Sequence, residues 1–295
     1  MALHPAYAAY RAGDAVARAL PARSVGSTAR GVGWIAARAM RGRREMVERH
    51  QLRVRPDLSD HELKAAVDHV FTSYAHYWIE SFRLPTVGAA ELDRGMSHDG
   101  LHHLEAALDG GSGCILALPH LGAWEWAAFW LTTVQQMPVT AVVEAVEPPE
   151  LAEWFVGLRA KLGMEVVPLD SKAGTASTRA LKENRVLALL CDRDVAGGGV
   201  EVEFFGERTT LPAGPATLAL RTGAPLVPAV IYFSDSGHHG VARPALDTSR
   251  RGKLRDDVAR ITQDLAGELE VMIRAAPEQW HLLQPNWPSD QIDRD

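Results

Sequence analysis

The spacing of apolar positions changes character along the chain. Over residues 1–50 they are scattered among alanines and arginines, with Val32, Trp34, Ile35 and Met40 set between Arg30, Arg38, Arg41, Arg43 and Arg44. That mixture suits amphipathic, interfacial helices, although Gly26, Gly31 and Gly33 weaken the helical expectation. From Ser59 the pattern is regular. Leu63, Val67, Val70, Phe71, Tyr74 and Trp78 form one helical face, Ser59 and Glu62 make a capping box, and Pro85 closes a helix that runs to about Phe82. A short helix is predicted near residues 99–108, stopped by Gly110 and Gly111.

Beyond Gly111, short apolar runs alternate with helical stretches. Strands are predicted over 114–118, 139–144, 166–169, 186–191 and 226–232, with a further strand over 200–205. Helices are predicted over 124–134, 149–162, 175–183, 213–222 and 254–275. This alternation implies right-handed crossovers and an α/β fold, a mostly parallel central sheet flanked by helices on both faces. No internal repeat or linker divides the chain, so one domain over 1–295 is expected, with 1–58 as a helical amino-terminal segment. No run of about 18 apolar residues exists to span a bilayer as a helix, and the first residues lack the apolar core of a signal peptide.

Composition adds one thing to this picture. Hydrophobic residues make up 46% and charged residues 23% of 295, the balance of a folded globular protein. The net charge of -6 argues against nucleic-acid binding. It conceals an asymmetry: residues 1–50 hold nine arginines against Asp14, Glu45 and Glu48, a surplus of +6, which leaves -12 on the remainder. A basic end on an acidic body suggests contact with an anionic surface, and residues 1–58 are expected to face a membrane. The only cysteines, Cys114 and Cys191, lie inside apolar runs and read as core thiols, so a reducing cytoplasm is the default.

In parallel sheets, ligands bind beyond the carboxyl ends of the strands. The first predicted strand there ends in His120, the second in Glu144, and the fourth in Asp192, Arg193 and Asp194. One histidine and several carboxylates would therefore gather on one edge. His120 follows a strand and a proline and opens a helix that carries Glu125 five positions later. An imidazole oriented by a carboxylate is a competent general base near neutral pH. The bland alternative is that His120 caps the helix and Glu125 is solvated.

The segment Ala117-Leu-Pro-His120-x4-Glu125 resembles the His-x4-Asp/Glu motif of glycerolipid-type acyltransferases. The wider chain is similar to the bacterial lipid A biosynthesis acyltransferase family, and within it to the actinobacterial phosphatidylinositol mannoside acyltransferases. The blocks that carry the likeness are Ser73 to Trp78 with Phe82 to Pro85, Leu116 to His120, Arg159 with Gly163, Asp192-Arg-Asp194, Phe204-Phe-Gly-Glu207, Pro212 to Ala216 with Thr222-Gly, and Trp280-His with Pro285. The resemblance implies acyl-CoA as donor, with no cofactor or metal. It implies a mannose hydroxyl of phosphatidylinositol mannoside as acceptor, at the cytoplasmic face of the cell membrane, where the protein would be peripheral. It also implies His120 as base, with Asp192 at the position of its carboxylate partner. Whether Asp192 or Glu125 orients His120 is open at this level. Arg159 and Glu144 match positions near the site and are expected as a pair that binds substrate or shapes the cleft; Arg193 and Asp194 complete the substrate-binding set.

Oxyanion donors would come from the helix start after His120, or from Arg159 and Arg193. A lipid A-like acceptor, simple thioester hydrolysis and a catalytically silent lipid-binding protein are the rival readings. Phe204 and Phe205 are expected in strand core, Trp124, Trp126 and Trp130 in core, Gly197 to Gly199 in a turn, and His102-His103 and His238-His239 on the surface.

Overall fold

The computed structural model of the chain describes residues 4–144 and 147–291. Its amino-terminal part is a layer of helices: α1 (Pro5–Ala19), α2 (Val25–Ala39) and α3 (Arg41–Val54) all pack against the long α4 (Asp60–Arg83). The capping box forms, with the Glu62 N–H donating to Ser59 Oγ and the Ser59 N–H donating to Glu62 Oε2. Val67, Val70 and Phe71 turn inward and are buried. The glycines of α2 do not interrupt it. At Gly33 the helix passes so close to α4 that a Cβ would sit 2.6 Å from the Thr72 Cα. Glycine there serves a close helix crossing, and the local propensity it forfeits is returned as packing.

Next come α5 (Ala89–Arg94), β1 (Met96–Asp99), α6 (Leu101–Asp109) and β2 (Cys114–Leu118). Helix and strand then alternate through α7 (Trp124–Thr133), β3 (Val139–Val143), α8 (Pro149–Lys161), β4 (Glu165–Pro168), α9 (Ala173–Lys182) and β5 (Val186–Leu190). The hairpin β6 (Val200–Phe204) and β7 (Glu207–Leu211) is followed by α10 (Gly214–Thr222), β8 (Leu226–Ser234), β9 (Gly237–Ala242) and α11 (Leu254–Ala275).

Seven strands form one sheet in the order β1-β9-β8-β2-β5-β3-β4, parallel throughout except for the β8–β9 pair. The central strands are apolar on both faces because both faces are covered. Along β2, Ile115 and Ala117 join the core under α10 and α11, while Cys114, Leu116 and Leu118 join the core under α6 and α7. Both cysteines are buried, and burial pushes the Cys114 thiol up to about 12.

The expected strands and helices from 114 to 275 are present. Three strands carry no sequence signal. β1 (MSHD) and β9 (GHHGVA) extend the sheet by its edge with residues that have no apolar alternation. β7 answers β6 across a two-residue turn in which Phe205 and Gly206 both have positive φ, 51° and 75°. A bulky residue there is unusual. Phe205 is held by its ring, 4.7 Å from Phe204 and 5.7 Å from Trp280, and by its N–H to Glu270 Oε1. Phe204 and Phe205 are both core, as expected.

The contrast between Gly33 and Gly31 is testable by thermal unfolding. A Cβ at Gly31 would meet nothing within 4 Å. Gly31→Ala should raise the melting temperature slightly, by about 0.4–1 kcal/mol of stability. Gly33→Ala should lower it, by roughly 1–3 kcal/mol, because the α4 backbone cannot yield.

Candidate active site

The carboxyl ends of β2 and β5 lie side by side, and they bring His120 and Asp192 together. A side chain just past a buried strand is fixed by the strand and open to the cleft beyond it. His120 Nδ1 lies 2.6 Å from Asp192 Oδ1, and the His120 backbone N–H donates to Asp192 Oδ2 at 3.1 Å. A carboxylate only accepts, so Nδ1 carries a proton, and in the neutral ring it is Nε2 that holds the lone pair. The imidazole is 34% exposed and lines the main cleft; the Asp192 carboxyl is 0% exposed. Burial alone would raise Asp192. The charge of His120 and the donors from the His120 ring, Trp280 and the His120 backbone overcome that and hold the carboxyl below its usual range.

Asp192 rather than Glu125 therefore orients His120. The Glu125 Oε1 accepts from the Tyr77 hydroxyl at 2.8 Å and from Arg159 Nη2 at 3.0 Å, in a site shut off from water. Burial dominates here and pushes the Glu125 carboxyl upward, with Arg159 and Tyr77 offsetting it only in part. Glu125 thus ties α7 to α4 and α8. The Arg159 guanidinium also lies over the rings of Trp124 and Phe155.

The expected Glu144–Arg159 pair is not what forms. Arg159 is taken by Glu125, and Glu144 instead accepts from Arg193 Nη2 at 3.0 Å. The reason is topological: Arg159 is on α8, which lies beside α7, whereas Glu144 and Arg193 follow the neighbouring strands β3 and β5. Asp194 binds the turn that follows it, accepting from the N–H groups of Gly197 and Gly199 and from the Thr210 hydroxyl.

The cleft measures about 1290 Å³. His120 is among its lining residues. Tyr77, Trp78, Trp124, Phe155 and Arg159 contribute to its wall, as do Ser177 of α9 and Leu218 of α10. Glu144, Arg193 and Asp194 sit on its lining.

Sequence reasoning assigned no role to the carboxyl-terminal segment, yet that segment closes the site. Residues 279–281 run antiparallel to the His120 turn: the Gly122 N–H donates to Gln279 O, the His281 N–H donates to His120 O, and Leu121 bridges Trp280. The Trp280 indole N–H donates to Asp192 Oδ2 at 2.7 Å, and Asn286 Nδ2 donates to the Asp192 carbonyl. His281 Nε2 meets Ser73 Oγ at 2.8 Å. The only signal was that the Ser73 and Trp280-His blocks both belonged to the family pattern.

His238 corrects another expectation. It is buried, stacked 4.2 Å from Trp126, with Nε2 at 2.9 Å from Glu80. It lies on β9, one strand in from the sheet edge, between Trp126 of α7 and Glu80 of α4.

The sequence model for bacterial lipid A biosynthesis acyltransferase matches residues 1–289. This chain belongs to that family. It is 40% identical over 294 residues to the phosphatidylinositol mannoside acyltransferase of Mycolicibacterium smegmatis, covering 96% of this chain and 92% of the relative. It is 43% identical over 223 residues to the protein of the same name from Mycobacterium tuberculosis strain H37Rv, covering 74% of this chain and 69% of that one. Family membership makes the chain an acyltransferase, and a His–Asp pair opening on a cleft is chemistry such an enzyme can use.

A pH effect on stability follows from His281. Burial, aided by the nearby His120, pushes its ring from near 6.5 down to about 3, so it is neutral in the folded acyltransferase. The unfolded chain takes up that proton as pH falls below about 6.5. Unfolding free energy should therefore decline as pH drops from about 6.5 towards about 3, and denaturant titrations of His281→Gln should lack that part of the slope.

Proposed function

We propose that this acyltransferase moves a fatty acyl chain from acyl-CoA to a mannose hydroxyl of phosphatidylinositol mannoside. The observation that carries the reading is a part-exposed histidine on the cleft whose Nδ1 is held by a fully buried aspartate. The acceptor class rests on two relatives that bear that substrate in their names.

A sugar hydroxyl is a weak nucleophile at neutral pH. His120 Nε2 takes its proton as the oxygen attacks the thioester carbonyl, and Asp192 stabilises the imidazolium that forms. The tetrahedral oxyanion draws on donors at the start of α7 and on Arg193. Collapse breaks the carbon–sulfur bond, and the CoA thiolate recovers the proton from His120. The ester is released with its acyl chain along the apolar part of the cleft.

The amino-terminal layer supports attachment at the membrane surface. Trp34 and Ile35 are 56% and 61% exposed, Val16, Val32 and Met40 are also exposed, and Arg30, Arg38, Arg41 and Arg43 stand among them. Arg38 lies 4.2 Å over the Trp34 ring. Exposed apolar residues ringed by cations match an anionic lipid headgroup region. No helix among the described residues is long and apolar enough to cross a bilayer. The surface of the cytoplasmic leaflet is thus the proposed location.

Two measurements test this. Release of free CoA from palmitoyl-CoA should rise when phosphatidylinositol mannoside is added and should fall by roughly 10²-fold or more in His120→Ala. Acceptor-independent release that still needs His120 would mean hydrolysis or another acceptor; activity intact in His120→Ala would overturn the mechanism. Separately, the protein should sediment with vesicles of anionic phospholipid more than with neutral ones. Trp34→Ser with Ile35→Ser should weaken that by about tenfold or more, from the lost burial of two large apolar side chains.

A further inference from the structure

We propose that Trp280 is a positioning residue for this reaction, the third member of a His120–Asp192–Trp280 relay. The proposal rests on His120 acting as the base.

Asp192 has two carboxyl oxygens and divides them. Oδ1 receives the His120 ring, while Oδ2 receives the His120 backbone N–H at 3.1 Å and the Trp280 indole N–H at 2.7 Å. The indole contact is the shorter of the two at Oδ2, and the only side-chain donor there among the described residues. It fixes the rotation of the carboxylate about its Cβ–Cγ bond. Without it, one backbone N–H at 3.1 Å would have to keep Oδ1 aimed at Nδ1.

The placement of Trp280 is coupled to that of His120. Its neighbours on either side, Gln279 and His281, are hydrogen-bonded to Gly122 and to His120 itself. The Gln279 side chain in turn exchanges hydrogen bonds with the backbone of Phe233 on β8. Further along, Asn286 grips the Asp192 carbonyl. Asp290 then pins the segment by accepting from the Asn286 and Trp287 N–H groups and from Arg53 and His50 of α3. The indole is fully buried between Phe205, Phe204 and Trp287, so its N–H has no exit to water. A tryptophan that served packing alone could turn its N–H to any acceptor; this one meets the charged oxygen that also anchors the His120 backbone.

The consequence has a direction. The indole proton stabilises negative charge on Asp192. Removing it leaves more of that charge facing Nδ1, which favours imidazolium and raises the pH at which His120 becomes a free base.

The experiment compares wild type, Trp280→Phe, Asp192→Asn and the double variant by kcat, KM and the pH profile of kcat/KM, with His120→Ala as control. Phenylalanine keeps most of the ring packing. The expected result for Trp280→Phe is a kcat about 10- to 100-fold lower with KM nearly unchanged, the scale of one hydrogen bond to a charged group. The acidic limb of its profile should move to higher pH. In the Asp192→Asn background, Trp280→Phe should add little, because the indole acts through the carboxylate. Should Trp280→Phe fold poorly, the benzothiophene analogue of tryptophan, with sulfur replacing the N–H, gives the same readouts in an unchanged shape. A wild-type profile and kcat, or a loss that persists undiminished in the Asp192→Asn background, would overturn the relay. If His120→Ala retained activity, the reading of the site would fall instead.

Discussion

A fully buried carboxylate has to be matched by donors, and Asp192 is the one on which this structure turns. Removing such a charge from water costs several kcal/mol unless it is paired and hydrogen-bonded. Its partners arrive from two places far apart in the chain, the turn after β2 and the segment after α11. Neither could be held alone. The His120 turn exchanges two backbone hydrogen bonds with residues 279–281, and that segment is anchored in turn by Asp290, which bonds to Arg53 and His50 of α3. The sheet edge, the amino-terminal helices and the segment after α11 thus converge on one side chain.

The second buried carboxylate of the site shows what donors decide. Asp192 and Glu125 are both shut off from water, and burial is the largest influence on each. Three donors, one of them the His120 imidazole, hold Asp192 low. Glu125 has Tyr77 and Arg159 on one oxygen, while Oε2 makes no hydrogen bond among the described residues, and burial prevails. Similar burial therefore leads to opposite shifts. Asp192 is suited to stabilising a positive imidazole. Glu125 is suited to joining α4, α7 and α8 into the wall beside it.

The sequence made the α/β core legible because parallel strands buried on both faces read as continuous apolar runs, as in Cys114–Leu118 and Val186–Leu190. The edge did not read, since β1 and β9 carry serine, histidine and glycine and are held by backbone pairing and by α4. His120 and Asp192 could be placed together because both follow predicted strands, and strand ends share an edge. The partner exchange among Glu125, Glu144, Arg159 and Arg193 could not be foreseen. Which cation faces which anion depends on the lateral order of β2, β5 and β3, which alternation alone does not fix. Trp280 belonged to the family pattern, but its role did not read, because its N–H crosses 88 positions to reach Asp192.

Helix α4 connects the surface to the chemistry. On one side it carries the layer of α1, α2 and α3, with Gly33 allowing α2 to lie against Thr72. One helical step away, Ser73 binds His281, Tyr77 binds Glu125, and Glu80 binds His238. Spacings of four and three repeat one face of a helix, so a single stripe of α4 touches the segment after α11, the cleft wall and β9 in sequence. On the proposed reading, the layer that would rest on lipid is joined to the cleft by one rigid element. An acceptor whose headgroup stands at the bilayer surface would then need no carrier to reach His120. The distance between the lipid and the base would be set by how α2 and α4 pack, and a glycine at position 33 is what lets the two backbones approach there.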